Sequence, residues 1–148
     1  MIKTPKVLRE EKPHLLIVED DKGLQKQLKW SFSDYNVLTA DDRESGLKFL
    51  KEFHPPVVIL DLGLPPDPAN ATEGLAALQE ILSLEPHTKI IVVTGNDEKE
   101  NALKAVDMGA YDFYQKPVDQ DILGHIVDRA YRFHSLEQEN RDLSRTSG

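Results

Sequence analysis

The chain has 148 residues, with 18 Lys and Arg against 26 Asp and Glu, a net charge of −8 and a pI near 5.1. Its length suits one domain with a sizeable core, and its acid excess argues against nucleic-acid binding by this segment, because phosphate backbones repel an acidic surface. It has no cysteine for disulfide or thiol chemistry, no apolar run approaching the roughly 18 residues of a membrane span and no charged-then-apolar leader, so a cytoplasmic, soluble domain is expected.

Met1 to Lys12 is charged and Pro-punctuated and is expected to be a loose arm. Leu15-Leu16-Ile17-Val18 then reads as a buried parallel strand, since such strands appear as short continuous apolar runs. It ends in Glu19-Asp20-Asp21. Leu24, Leu28 and Phe32 recur at helical spacing, Tyr35 to Ala40 reads as a short strand, and Asp42 as the N-cap of a helix burying Leu47 and Leu50. Val57 to Leu60 is a third strand, ending in Asp61, and a helix from about Thr72 carries Leu75, Leu78, Ile81 and Leu82 inward. Ile90 to Val93 leads to Thr94-Gly95, a helix spans about Glu98 to Met108 with Gly109 as its stop, and a fifth strand over Ala110 to Gln115 leads to Lys116-Pro117. A long final helix follows. Strict alternation of strand and helix predicts an α/β fold with a five-stranded parallel sheet covered on both faces. The flavodoxin-like order 2-1-3-4-5 puts its switch point between the strands that end in Asp20 and Asp61.

Ligands of open α/β sheets bind at the carboxyl ends of the strands. Several carboxylates meeting there repel one another and call for a hard cation, and an oxygen-only donor set points to Mg²⁺ or Mn²⁺ rather than zinc. A hydroxyl from Thr94 and an ammonium from Lys116 at the same edge complete what phosphoryl binding requires. Taken singly, the acids read as helix caps and Lys116 as a solvated lysine. Agreement at four strand ends carries the functional reading.

In order and type, these residues resemble the receiver domain of two-component response regulators, over Pro13 to Phe133. The resemblance implies that Asp61 is the phosphoacceptor, Glu19 and Asp20 the acidic pair, Thr94 the switch hydroxyl, Lys116 the phosphate-pairing lysine and Phe113 the switch aromatic. It implies Mg²⁺ held by Asp20, Asp61 and the backbone carbonyl of Gly63, with Glu19 acting through water, and a sensor histidine kinase or small acyl phosphate as donor. Such a domain is a phosphoacceptor that assists its own phosphorylation and dephosphorylation, not an enzyme in its own right. Gly63 and Asn96, two residues beyond Asp61 and Thr94, flank the path of attacking water in receivers, and Gly63 offers no side chain to obstruct it. A phosphatase with an aspartyl-phosphate intermediate is the rival; it would carry an acid/base Asp or Thr where Gly63 stands. A non-phosphorylated interaction module is opposed by the presence of Asp61, Thr94 and Lys116, and a flavin-binding domain by the lack of a phosphate loop after the first strand.

Two segments depart from the receiver pattern. After Pro65 the chain runs Pro66-Asp67-Pro68-Ala69-Asn70-Ala71-Thr72-Glu73 before Gly74, a loop about five residues longer than usual, and its prolines suggest a stiff flap. At the end, Ile122, Ile126, Arg129, Phe133, Leu136, Asn140 and Leu143 alternate spacings of four and three, as in a coiled-coil seam with Ile126, Phe133 and Asn140 at a and Arg129, Leu136 and Leu143 at d. The helix is expected to leave the domain after residue 133 and to pair in a homodimer, with 134–148 as linker. This too resembles response regulators, namely NtrC-like, sigma-54-dependent activators in which such a helix leads to an enhancer-binding ATPase and a helix-turn-helix output domain in a longer parent protein.

Overall fold

A computed structural model describes residues 12–68, 70–95 and 98–147. The expected arm, Lys12 apart, and Asn96 lie outside the described residues. Ten elements alternate: β1 (His14–Val18), α1 (Lys22–Ser31), β2 (Asn36–Ala40), α2 (Arg43–Phe53), β3 (Val57–Asp61), α3 (Thr72–Leu84), β4 (Lys89–Thr94), α4 (Lys99–Asp107), β5 (Asp112–Gln115) and α5 (Gln120–Ser147). The strands form one parallel sheet in the order β2-β1-β3-β4-β5, as expected.

The continuous apolar runs are two alternating sets, because successive side chains of a strand point to opposite faces. Leu15, Ile17, Val57, Ile59, Ile91 and Val93 bury against Leu28 of α1, Phe32 at its C-cap, and Leu123, Val127 and Ala130 of α5. Leu16, Val18, Val58, Leu60, Ile90 and Val92 bury against Leu50 of α2, Leu78 and Ile81 of α3 and Ala105 of α4. Both faces are covered, which is why neither set is polar.

Two acids beside the strand ends serve as caps. Asp21 Oδ1 accepts from the Leu24 amide at 3.1 Å and starts α1; Asp42 Oδ1 accepts from the Ser45 amide at 2.9 Å and starts α2. Gly109, at φ 120°, ends the α4 segment in a conformation that side chains avoid. Gly74, in the first turn of α3, is needed for close approach: a Cβ there would stand 2.3 Å from Leu62 Cα and 2.5 Å from its carbonyl oxygen.

Two boundaries differ from expectation. β2 begins at Asn36, and Tyr35 instead stacks on Tyr131 with ring centroids 4.7 Å apart. β5 begins at Asp112, with Ala110 buried in the preceding turn. The stripe of α5 that covers the sheet is Leu123, Val127 and Ala130, whereas Ile122 is exposed. The 4-3 pattern and the covering stripe lie about 100° apart on the helix, so periodicity marked the seam positions but not the face that meets the sheet. Nor does α5 part from the body at residue 133. Phe133 packs on Tyr111 (5.9 Å between centroids) beneath the Lys89 ammonium (4.8 Å), and Lys89 pairs with Glu137 at 2.7 Å. Beyond that contact Leu136, Asn140 and Leu143 are exposed.

Candidate metal and phosphoryl site

Sheet register brings the expected residues to one edge. β1 and β3 pair with Val18 opposite Leu60, so Glu19 and Asp61 emerge level with one another. β3 and β4 pair with Asp61 opposite Val93, which places Thr94 one step further out, and the Lys116 amide donates to the Thr94 carbonyl at 2.7 Å beside it. Asp61 and Glu19 are buried and Asp20 is exposed. Carboxylate oxygens of these three residues lie within 4.8 Å of one another.

Lys116 is the counter-charge: its Nζ stands 3.3 Å from Glu19 Oε1 and 3.8 Å from Asp61 Oδ2. The Asp21 amide donates to Glu19 Oε2 and the Gly63 amide to Asp61 Oδ1, each at 3.1 Å. These contacts do not balance the cluster. Burial, and after it the Asp61 charge, push the Glu19 carboxyl up to about 7, against the opposing pull of the Asp21 amide and Lys116. Burial alone would lower the Lys116 ammonium, but Asp61 and Glu19 outweigh it and raise its pKa. Crowded oxygen donors with surplus negative charge fit a hard divalent cation. Asp20, Asp61 and Glu19 are therefore an acidic cluster that could hold one.

Thr94 is 1% exposed, and its Oγ1 has no hydrogen-bond partner among the described residues. A buried hydroxyl without a partner is costly, and such exceptions call for an explanation. Phe113 lies on β5 opposite Val92, half-buried against the core cluster on the α2–α3 face.

Sequence reasoning missed two features. Gln25 is buried on α1 and its amide donates to the Glu19 carbonyl and to Asp41 Oδ1 (2.7 Å), so a neutral side chain braces the acidic turn from behind. Its position between Leu24 and Leu28, on the inward arc of the helix, was the available signal. The second is the region beside Gly63, expected to be open. A Cβ on Gly63 would stand 3.0 Å from the Pro68 carbonyl oxygen, so the long loop already fills that space.

The edge of a 2-1-3-4-5 sheet with three carboxylates, a hydroxyl and a lysine defines a signalling domain of the two-component type. The chain belongs to the response regulator receiver domain family, which matches residues 15–128. It is 33% identical to the regulatory protein AtoC of Escherichia coli K12 over 87% of this chain and 27% of that protein, and 31% identical to the C4-dicarboxylate transport transcriptional regulatory protein DctD of Rhizobium meliloti over 91% and 29%. Among solved structures it superposes on NtrX from Brucella abortus with a TM-score of 0.81 at 30% identity, over 90% of this chain and 30% of that one. It also superposes on the receiver domain of a LuxO-type repressor from Vibrio parahaemolyticus at 0.77 and 27% identity, over 86% and 96%. The chain thus spans under a third of the curated regulators it resembles. Among the described residues, no helix is long and apolar enough to cross a membrane.

Proposed function

We propose that this domain accepts a phosphoryl group on Asp61 from the phosphohistidine of a sensor kinase, and that the acyl phosphate switches an output domain in a longer, cytoplasmic regulator. The observation that carries this reading is the juxtaposition of buried Asp61 with Lys116 at 3.8 Å inside the Glu19, Asp20 and Asp61 cluster. Asp61 Oδ would bond to phosphorus as the bond to the donor nitrogen breaks, leaving the imidazole to take up a proton. Asp20, Asp61 and the Gly63 carbonyl would hold Mg²⁺, with Glu19 acting through water; bound there, the cation would offset charge on the transferring group.

Lys116 would then leave Glu19 to pair with the phosphoryl oxygens. The unpartnered Thr94 hydroxyl gains an acceptor, and its displacement gives Phe113 room to turn inward, a population shift biased by contacts made only in the phosphorylated state. Relatives that are transcriptional regulators several times longer than this chain support its placement as a regulatory part of an enhancer-binding activator, and exposed Leu136, Asn140 and Leu143 support a homodimer through α5. Acetyl phosphate with Mg²⁺ should add one phosphoryl group by intact mass, and none to Asp61→Asn. Stoichiometric labelling of that variant would refute the assignment.

A further inference from the structure

The acidic turn after β1 is tied down by a side chain that carries no charge. Gln25, buried on α1, donates through its side-chain amide to the Glu19 carbonyl and to Asp41 Oδ1, the latter at 2.7 Å. Asp41 follows the end of β2 and is itself held by Lys22 Nζ at 2.8 and 2.9 Å. The Glu19 amide donates to the Ala40 carbonyl at 2.9 Å. Both backbone groups of Glu19 are therefore committed, one to the end of β2 and the other to Gln25. A peptide unit is planar, so aiming the Glu19 carbonyl also aims the Asp20 amide and the backbone from which the Asp20 side chain leaves. Asp20 is exposed, and the reach of its carboxylate toward Glu19 and Asp61 depends on that backbone.

We propose that Gln25 is a positioning residue for the divalent cation: by holding the Glu19–Asp20 peptide it sets the spacing of the carboxylates, and so raises the affinity for Mg²⁺ relative to the larger Ca²⁺. The proposal rests on the acidic cluster being the metal site. Carboxylates within 4.8 Å of one another repel, and the exposed Asp20 is the member with room to swing outward. Lys116 opposes that repulsion with positive charge, against which an entering cation must compete. Gln25 opposes it differently. Its amide does not titrate and adds no competing charge, and it has two N–H donors for the Glu19 carbonyl and the Asp41 carboxylate. Mg²⁺ demands near-octahedral ligands at about 2.0–2.1 Å, whereas Ca²⁺ accepts a flexible shell of ligands at about 2.3–2.6 Å. A loosened turn therefore costs the smaller ion more.

The test titrates the full chain with MgCl₂ and, separately, with CaCl₂ by calorimetry at one pH and ionic strength. Gln25→Met keeps the length of the side chain and loses both donors. Gln25→Arg keeps N–H donors for the same two acceptors and adds a positive charge, with the exposed Asp41 leaving room for the longer side chain. The Met variant should bind Mg²⁺ roughly ten-fold more weakly, as when an outer-shell partner of a metal ligand is lost, and Ca²⁺ no more than about three-fold more weakly. In the Arg variant the added charge should weaken both ions by a common factor, leaving the ratio of their affinities within about two-fold of wild type. An unchanged ratio in Gln25→Met overturns the proposal even if both affinities fall, because a general loss of stability acts on the two ions alike. A ratio reduced as far in Gln25→Arg also overturns it, since packing rather than the hydrogen bonds would then be responsible. Wild type that binds no Mg²⁺, or binds it equally after Asp20→Asn with Asp61→Asn, overturns the metal-site reading and the role of Gln25 together, a result seen without any change at Gln25.

Discussion

Lys116 Nζ lies nearer to Glu19 Oε1, at 3.3 Å, than to Asp61 Oδ2, at 3.8 Å. In the resting domain the lysine thus serves chiefly to hold a buried carboxylate. Phosphorylation would ask it to exchange that partner for a stronger one. Lys116→Met should keep or increase Mg²⁺ affinity, because a competing cation is gone. It should lower the rate of labelling by acetyl phosphate roughly ten-fold or more, through loss of a charge aimed at the transferring group. Magnesium titration and mass-monitored labelling check both parts; a weakened Mg²⁺ affinity would contradict the first.

Glu19 supplies a pH dependence. Its carboxyl is raised from 4.5 to about 7 in the fold, so the folded domain keeps a proton that the unfolded chain has released. That contribution to stability is fully present below about pH 4.5 and is lost as pH rises toward 7. His134, held below its ordinary value chiefly by burial and then by nearby Arg141 and Lys89, acts in the opposite sense and loses stability as pH falls below 6.5. The difference between wild type and Glu19→Gln isolates the first effect: without metal, the advantage of the Gln variant in thermal stability should grow from pH 5 to pH 7.5. Magnesium binding near pH 6.5 should release a proton from wild type and not from the variant, measurable by calorimetry in two buffers of different ionisation enthalpy. Equal proton release would exclude Glu19 from the metal response.

Thr94→Val replaces the unpartnered hydroxyl by a methyl of similar size. Removing a buried polar group that makes no hydrogen bond should leave the resting domain as stable as wild type, or more stable by about 1 kcal/mol. The same change should uncouple the switch, so that phosphorylation no longer shifts the aromatic protons of Phe113. Because Phe113 has no phenolic hydroxyl, its inward state rests on packing. Chemical shifts that respond alike in wild type and variant would break the proposed link.

Gly74→Ala tests the contact between α3 and the strand end that carries Asp61. The added Cβ would fall inside the Leu62 backbone, which is one residue beyond Asp61 and has no flexible side-chain end to yield. A cost of about 3 kcal/mol is expected, at the upper end for overpacking. Thermal unfolding reads the stability, and a parallel drop in Mg²⁺ affinity would show that the helix start positions the site.

Dimerisation through α5 is expected to be weak. Phe133 is engaged with Tyr111 and Lys89, whereas Leu136, Asn140 and Leu143 are exposed, and one Asn at a buried seam position favours a two-stranded register at some cost in stability. Sedimentation equilibrium should show a dimer that is lost in Leu136→Asp with Leu143→Asp, substitutions that leave the Lys89–Glu137 pair intact. Equal dimer constants would move the interface to another face.

The elements, their order and the residues at the strand ends were legible because each depends on local pattern: apolar runs four residues long, helix spacing, and Asp or Gly at helix boundaries. Asp42 as a cap, Thr72 as the start of α3 and Gly109 as a stop could all be read that way. Local pattern did not settle which face of the last helix meets the sheet. Ile122 and Leu123 are adjacent and equally apolar, and only the position of the sheet selects Leu123 for burial.

What the sequence determined by itself was the chemistry available: which carboxylates, hydroxyl and amine exist, and at which strand ends. Only the tertiary structure decided how those groups meet, because their separations follow from strand register and close backbone approach, neither of which is encoded within a short window of residues. It gave Asp21 to a helix cap and Glu19 to the cluster, set Gln25 behind the acidic turn, and brought Pro68 back against Gly63. A glycine in the sequence marks a missing side chain; whether solvent or another part of the chain fills that space is settled by packing.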